Sequence, residues 1–163
     1  MNTVFLLTGG NLGNRFFNLQ QAKKLLQQTC GSIVKESSIY KTAAWGFTDQ
    51  PDFYNQALQL QTNFLPEPLM QALLSVEKNM GREREVKMGP RIIDIDILLM
   101  NDCVINTAIV KIPHPLLHER RFALTPLAEI APDIIHPVFN KSIKQLLAEC
   151  KDNLPVYKIS KEN

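Results

Sequence analysis

Cysteine is scarce in this chain of 163 residues, and the three that are present, Cys30, Cys103 and Cys150, lie far apart. They form no C-x-x-C pair and leave one thiol over in any disulfide scheme, so we expect a reducing compartment rather than a disulfide-stabilised fold. Their spacing does not suit a zinc site either.

Long apolar runs are also missing. No stretch approaches the roughly 20 apolar residues that span a bilayer, and the first run, residues 4–7, is short and has no basic segment before it, unlike a signal peptide. The formal net charge of only +2 gives no reason to expect a nucleic-acid-binding or membrane-binding surface. By elimination we expect a cytoplasmic protein, folded as a single domain over residues 1–163.

The most informative stretch is an apolar strand interrupted by two aspartates. In a strand over residues 91–100, Asp94 and Asp96 point to one face and the isoleucines beside them point into a core. The two Cα atoms then lie about 6.6 Å apart. Two like charges so placed repel each other and lose hydration, a cost that a divalent cation offsets. Because the cations Arg82, Arg84, Lys87 and Arg91 come just before the strand, the pattern points to a polyphosphate held through magnesium.

The aspartate pair also has a plainer interpretation. A D-x-D on a strand can be a solvated sheet edge with Arg91 as its ion-pair partner, and short motifs of this kind occur by chance. The basic segment upstream, bounded by Gly81 and by Gly89-Pro90, makes the two interpretations about equally good on these residues alone.

Hydrophobic periodicity predicts the element order β-α-β-β-α-β, followed by C-terminal helices. The strands are expected at residues 3–8, 33–40, 53–62 and 91–100. The helices are expected between Asn14 and Gly31, between Pro66 and Gly81, and at residues 116–131 and 142–150. This is the order of a ferredoxin-like α+β sandwich, with an antiparallel sheet, helices on one face and the site on the other.

Two further features allow more than one interpretation. The glycine-rich run at residues 9–14 follows a strand and precedes a helix, but it matches neither phosphate-loop pattern and is mainly a tight turn. Phe53 and Asn55 share one strand face, where an aromatic surface beside an amide suits a flat heterocycle. From this pair alone, a core phenylalanine and an edge asparagine is the better interpretation.

Several spaced motifs resemble those of one enzyme family. Residues 89–98 (GPRIIDIDIL) resemble the signature of 6-hydroxymethyl-7,8-dihydropterin pyrophosphokinases, which belong to the folate pathway. The family's other segments are matched in the same order by residues 9–13 (GGNLG), 49–55 (DQPDFYN), 77–84 (EKNMGRER), 112–122 (IPHPLLHERRF) and 126–132 (PLAEIAP). The resemblance covers about residues 1–135. It departs from the family at Gly10 (often Ser), Ala43-Ala44 (a more proline-rich start), Met88 (often Trp) and Pro115 (Tyr in some members).

This resemblance implies transfer of the β,γ-diphosphate of ATP to the pterin hydroxymethyl group, with release of AMP. It implies two Mg²⁺ ions on Asp94 and Asp96, and a catalytic set of Arg82, Arg91, Asp94, Asp96 and His114. Contacts with ATP would come from Arg84, Arg91, Ile97, His114 and Arg120. The pterin would stack between Phe53 and Phe122, with its edge read by Asn55 and by the main chain around Thr42 and Trp45. ATP and the pterin would be the partners of a monomer.

Two other classes of function stay open at this point. The chain could be a ferredoxin-like nucleotide- or RNA-binding regulatory module with a structural D-x-D, although aspartates on the central strand would repel phosphate unless a metal is present. It could also be a metal-dependent phosphohydrolase, although no clear general base lies near Asp94 in the sequence.

Overall fold

An antiparallel sheet organises the chain, whose structure is a computed structural model that describes residues 1–44, 49–82 and 89–159. The strands are β1 (Asn2–Gly10), β2 (Ser32–Glu36), β3 (Tyr40–Thr42), β4 (Phe53–Thr62), β5 (Asp94–Met100), β6 (Ile105–Asn106), β7 (Lys111–Ile112) and β8 (Val156–Lys158). The main sheet has the order β5-β1-β4-β3-β8 with β2 also beside β4, and β6 and β7 form a separate two-stranded ribbon.

Helices cover both faces of this sheet. They are α1 (Arg15–Thr29), α2 (Pro66–Asn79), α3 (Arg121–Ile130) and α4 (Ile143–Glu149), and a 3-10 turn at Leu117–Glu119 precedes α3. The first core joins α1 and α2 to one sheet face through Val4, Leu6, Leu26, Leu60 and Leu73. The second core joins α3 and α4 to the opposite face through Phe5, Leu7, Leu99, Leu124 and Ile143.

The predicted ferredoxin-like α+β architecture is confirmed, with one change in how its faces are used. We expected helices on one face and an open second face. The C-terminal helices instead cover part of the second face, because α3 carries its own apolar stripe, which is buried against β1 and β5. The site is therefore confined to the end of this face, beside the start of α3.

The predicted strand at residues 33–40 is divided into β2 and β3. Both parts pair with β4, and Ser37 lies between them. The Ser37 amide donates to the Ala57 carbonyl at 2.9 Å, and its hydroxyl accepts from the Ala57 amide at 2.9 Å. The serine side chain thus replaces a main-chain acceptor and interrupts the regular ladder, as in a bulge.

The predicted helix at residues 116–131 is likewise divided, at Arg120. The backbone of this residue is extended, with φ −120° and ψ 99°, so the 3-10 turn ends there and α3 starts afresh at Arg121. The break places Arg120 and Phe122 at the first turn of α3, which faces the end of the sheet. The fourth predicted helix is confirmed, and a capping box between Ser142 and Gln145 fixes its start.

None of the helices in the described parts of the chain is both long enough and apolar enough to cross a membrane.

Candidate active site

A cleft with about 510 Å³ of empty space, part of it open solvent, lies between the end of the sheet and the first turn of α3. Strands β1, β3, β4 and β5 supply one side, and α3 with the residue before it supplies the other. The predicted site residues that line this cleft are Thr42, Phe53, Asn55, Arg91, Asp94, Asp96, Arg120 and Phe122. The structure therefore brings together the two ends of the predicted site, the aspartates and the aromatic residues.

The two aspartates lie at the start of β5 and face the cleft together. Ile93, Ile95 and Ile97 are buried on the other side, in the core beneath α1 and α2, as the alternation of a strand requires. Burial, and then the charge of Asp94, raise the pKa of Asp96 to about 7. The raised pKa of Asp96 is the effect expected when two like charges share one face of a strand.

Arg82 links this strand to the end of α2. Its Nη1 donates at 2.7 Å both to Asp94 Oδ1 and to Glu77 Oε1. Burial opposes the charge of this guanidinium, but the carboxylates of Asp94 and Glu77 prevail and raise the pKa of Arg82. Arg82 is therefore held as a fixed cation next to the aspartate pair.

Glu77 connects α2 to Arg82 and to β5, and we had not predicted a role for it. It is only 3% exposed, and its Oε2 accepts a hydrogen bond of 2.7 Å from the main-chain amide of Ile95. A single acidic residue on a helix is usually solvated, which is why the residue alone gave a weak signal. A stronger signal was its spacing, because Glu77 lies four residues after Leu73 and so falls on the buried face of α2.

Two more arginines contribute positive charge to the cleft. Arg91 Nε lies 3.4 Å from Asp94 Oδ2, and its guanidinium lies over the Phe53 ring at 4.9 Å from the centroid. The guanidinium of Arg120 lies 5.5 Å from the centroid of Phe122. Burial lowers the pKa of Arg120, while the charges of Asp96 and Asp94 act in the opposite direction. Both arginines thus pair a cleft aromatic ring with the aspartate cluster.

The aromatic part of the cleft has a built polar edge. Asn55 is 4% exposed and donates from Nδ2 to the Thr42 hydroxyl at 3.0 Å, across the β3–β4 pairing. Gly9 makes this position possible, because a Cβ there would lie 2.2 Å from Asn55 Oδ1. With Phe53 and Phe122 also lining the cleft, an aromatic surface and an amide share one space. Phe53 is largely buried, as a core residue would be, but it also lines the cleft.

His114 lies next to this cluster and is held as a neutral imidazole. Its amide donates to the Leu98 carbonyl at 3.0 Å, and its Nδ1 accepts from the Leu116 amide at 3.1 Å. Burial, and then the charge of Arg120, lower the pKa of His114 to about 4. With Nδ1 acting as acceptor, the proton of the neutral ring is on Nε2, which can donate to a ligand.

Ile97, Trp45 and Arg84 are the predicted contacts that remain. The side chain of Ile97 is 2% exposed and belongs to the core beneath α1 and α2, so a contact of this residue with ATP would come from its main chain and stays a prediction. Its odd-numbered position in β5 turns it away from Asp94 and Asp96. Trp45 and Arg84 lie outside the described residues.

The donor set fits magnesium better than a metal that demands a full protein cage. Among the described residues, no group of three or more His, Cys, Asp or Glu side chains is gathered as a metal site. Mg²⁺ is bound through one or two carboxylates together with water and substrate phosphates. Asp94 and Asp96, two hard oxygen ligands on one face beside three arginines, match that requirement.

Comparison with known proteins points to one family. Residues 5–132 match the family described as 7,8-dihydro-6-hydroxymethylpterin-pyrophosphokinase (HPPK). A 2-amino-4-hydroxy-6-hydroxymethyldihydropteridine pyrophosphokinase of Aquifex aeolicus is 43% identical over 149 residues, which cover 91% of this chain and 92% of that protein. A protein of the same name from Bacillus subtilis is 41% identical over 134 residues, 82% of this chain and 80% of that one.

Longer proteins contain a similar region. The folic acid synthesis protein FOL1 of Dictyostelium discoideum is 38% identical over 94% of this chain, which spans 23% of that protein. A crystal structure of Plasmodium falciparum HPPK-DHPS has a TM-score of 0.74 at 18% identity, and the match covers 91% of this chain and 43% of that one. At this identity the likeness supports the fold.

Proposed function

Because this chain belongs to the 7,8-dihydro-6-hydroxymethylpterin-pyrophosphokinase family, we propose that it transfers the β,γ-diphosphate of ATP to the hydroxymethyl group of 6-hydroxymethyl-7,8-dihydropterin and releases AMP. The observation that carries the proposal is the sharing of one cleft by an aspartate pair, two arginines and two phenylalanines. In a nucleic-acid-binding module, two aspartates at this position would repel the phosphate backbone rather than bind it.

The pterin occupies the aromatic part of the cleft in this proposal. Phe53 and Phe122 provide ring faces for stacking, and Asn55 provides an amide for the polar edge of the heterocycle. The hydrogen bond from Asn55 to Thr42 fixes the orientation of the amide before any ligand is bound. The main chain around Thr42 and Trp45 would complete the proposed pterin contacts.

Asp94 and Asp96 would hold two Mg²⁺ ions brought with ATP. When bound, such ions neutralise phosphate charge and lower the pKa of a coordinated hydroxyl. The rest of the catalysis is positioning, because the pterin oxygen must meet the β-phosphorus in line with the departing AMP oxygen. The cleft does this by holding the pterin beside the aspartates.

The phosphates would be bound by Arg82, Arg91 and Arg120, whose forked guanidinium groups suit phosphate oxygens. Neutral His114 would add a donor from Nε2 rather than a positive charge. Arg84 is a further proposed ATP contact. We also propose a cytoplasmic monomer that acts as one domain, without nucleic-acid or membrane partners.

The decisive experiment mixes the purified protein with ATP, Mg²⁺ and 6-hydroxymethyl-7,8-dihydropterin and separates the nucleotide products by chromatography. AMP that forms only when pterin and Mg²⁺ are both present is the expected result. ADP as the product would mean a different phosphotransferase or a phosphohydrolase. No turnover by the folded protein would favour a binding module.

Variants of the aspartate pair test the metal role. Asp94→Ala and Asp96→Ala are each expected to reduce AMP formation by more than the roughly 10–100-fold seen for residues that only orient metal ligands. Asp133→Ala is the matched control, because Asp133 is exposed and pairs only at the surface, with Lys144 at 3.1 Å. Turnover and Mg²⁺ titration like those of the wild type in either cleft variant would rule out the metal role.

A further inference from the structure

Asn11 is a buried polar residue that lies outside the cleft and holds two chain segments together. It follows β1, in the turn before α1, and is 3% exposed. Its Nδ2 donates to Gln50 Oε1 at 2.8 Å and to the Pro51 carbonyl at 2.9 Å. Its Oδ1 accepts from the Arg91 amide at 2.9 Å. The side chain thus uses both donor hydrogens and its acceptor on two segments far apart in sequence.

The main chain around Asn11 strengthens the contact with Arg91. The amides of Asn11 and Leu12 both donate to the Arg91 carbonyl, at 2.9 Å and 3.2 Å. A Cβ on Gly10 would lie 2.1 Å from the Ile92 carbonyl oxygen, so the turn lies directly against the chain at residues 91–92. Both main-chain polar groups of Arg91 are therefore fixed by this turn. The serine common in the family at the position of Gly10 would not fit here without a shift.

The two segments that Asn11 joins carry opposing parts of the cleft. Arg91 reaches towards Asp94, with Nε 3.4 Å from Oδ2, and lies over the Phe53 ring. Phe53 begins β4 only two residues after Pro51. A shift of either segment would change how the guanidinium meets the ring, and Asn11 holds both segments through directional bonds.

We propose that Asn11 is a positioning residue that fixes Arg91 against Phe53. It thereby shapes the pterin seat, by which we mean the aromatic part of the cleft that receives the pterin. This inference rests on the proposed function, because it assigns the ligand that the seat receives. Asn11 acts through its neighbours and is not itself part of the cleft lining. Its bonds to Gln50 and Pro51 hold the segment that leads into Phe53, and its bond to Arg91 holds an arginine that we propose binds phosphate.

The division of the hydrogen bonds makes a selective test possible. Asn11→Asp keeps an oxygen for the Arg91 amide but turns an oxygen towards the Pro51 carbonyl, which can only accept. The bond to Pro51 is then lost and replaced by repulsion, and the Gln50 amide has to turn over in order to donate from Nε2. Because each lost hydrogen bond to a fixed group weakens positioning by up to tenfold, we expect the KM for the pterin to rise roughly tenfold or more. The KM for ATP should stay nearly unchanged.

Two other variants separate positioning from a loss of structure. Asn11→Ala also removes the side-chain acceptor of the Arg91 amide, so it should lower kcat in addition to raising the pterin KM. Gln50→Ala leaves the turn intact and should raise the pterin KM less than Asn11→Asp, because the bond to Pro51 remains. Combining Asn11→Asp with Gln50→Ala should change the pterin KM by less than the product of the two single changes, because both residues belong to one set of hydrogen bonds.

Asn14→Asp is the matched control. It places the same charge three residues further along, where the Asn14 side chain caps α1 by accepting from the Phe17 amide at 3.0 Å. Aspartate caps a helix as well as asparagine does, so stability and both KM values should stay close to those of the wild type. Thermal unfolding of every variant identifies the temperature at which each is fully folded, and the kinetics are measured below it.

The outcomes are distinct. A rise in the pterin KM in Asn11→Asp and Gln50→Ala, with the ATP KM and the Asn14→Asp control unchanged, supports the proposal. Wild-type pterin KM values in folded Asn11→Asp and Gln50→Ala, whatever their melting temperatures, would mean that Asn11 is merely structural. Equal rises of both KM values would also overturn the assignment to the pterin seat. If the wild-type protein forms no AMP, the proposed function fails first and the inference fails with it.

Discussion

Replacement of Glu77 by alanine tests how the charges at this site are held. Glu77 is 3% exposed in α2. One oxygen accepts from Arg82 Nη1 and the other from the Ile95 amide, both at 2.7 Å. Alanine removes these two acceptors at once. It leaves a buried main-chain N–H and a largely buried guanidinium, the latter with Asp94 still at 2.7 Å.

The size of the effect follows from those contacts. Removal of one partner of a buried ion pair costs about 3–5 kcal/mol, and a buried amide left without an acceptor costs about 1–3 kcal/mol. Because Arg82 keeps Asp94, the lower end of the ion-pair range applies, and we expect a total loss of about 4 kcal/mol in the free energy of unfolding. Since domains of this size are stable by roughly 5–15 kcal/mol, this is a large fraction. Glu77→Gln can keep an acceptor for the Ile95 amide and should lose less.

The assay is urea unfolding followed by circular dichroism, with the slope of the transition checked between variants. Glu149→Ala is the matched control, because Glu149 forms an exposed ion pair with Lys141 at 2.9 Å. Exposed pairs contribute about 0–1 kcal/mol. If Glu77→Ala loses no more stability than this control, the buried network does not hold the site, and our account of Arg82 is wrong.

Three more predictions concern single residues of the cleft. Burial and the charge of Asp94 raise the pKa of Asp96 to about 7, so the folded protein binds this proton more tightly than the unfolded chain and loses stability as pH rises from about 4 towards 7. Asp96→Asn should therefore raise the melting temperature of the metal-free protein at pH 8, and an unchanged or lower value would contradict this. Phe122→Ala should weaken pterin binding in calorimetry by the roughly 1–3 kcal/mol typical of base stacking on an aromatic ring and leave ATP binding nearly intact, whereas equal losses would argue against stacking. Because the pKa of His114 is lowered to about 4, its NMR titration should show no midpoint near the ordinary value of about 6.5.

Local patterns predicted the elements and the orientation of several site residues. Strict alternation placed Asp94 and Asp96 on one face of a strand and the neighbouring isoleucines on the other, and the structure has both. The same period placed Phe53 and Asn55 together. These features depend only on the geometry of a strand, which is why residue order suffices to predict them.

Features that depend on distant partners could not be predicted in this way. Arg120 ends a 3-10 turn and precedes α3, although the sequence predicts one helix over residues 116–131. Ser37 interrupts a strand because it meets Ala57, twenty residues away. The role of Asn11 depends on three contacts with segments 39–80 residues distant. The residues of the glycine-rich turn do not themselves indicate which other segment of the protein lies against the turn.

The plain interpretation of the aspartate pair is confirmed in its ion pairs, and the functional interpretation stays a prediction with which those ion pairs are compatible. Asp94 does form ion pairs with Arg82 and Arg91, as a structural D-x-D would. Yet the charges of the cluster balance when Asp96 is ionised, since its three carboxylates (Glu77, Asp94, Asp96) then face three guanidinium groups (Arg82, Arg91, Arg120).

A ligand of ATP with two Mg²⁺ ions would also be nearly neutral, because four phosphate charges meet four metal charges. On the proposed function, binding would therefore exchange partners rather than add charge, with arginines passing to phosphate and aspartates to metal. Such an exchange keeps the desolvation cost low in both states, because every buried charge has an opposite charge beside it before and after. The ion pairs among these side chains are thus compatible with a metal-dependent phosphate site and give no argument against one.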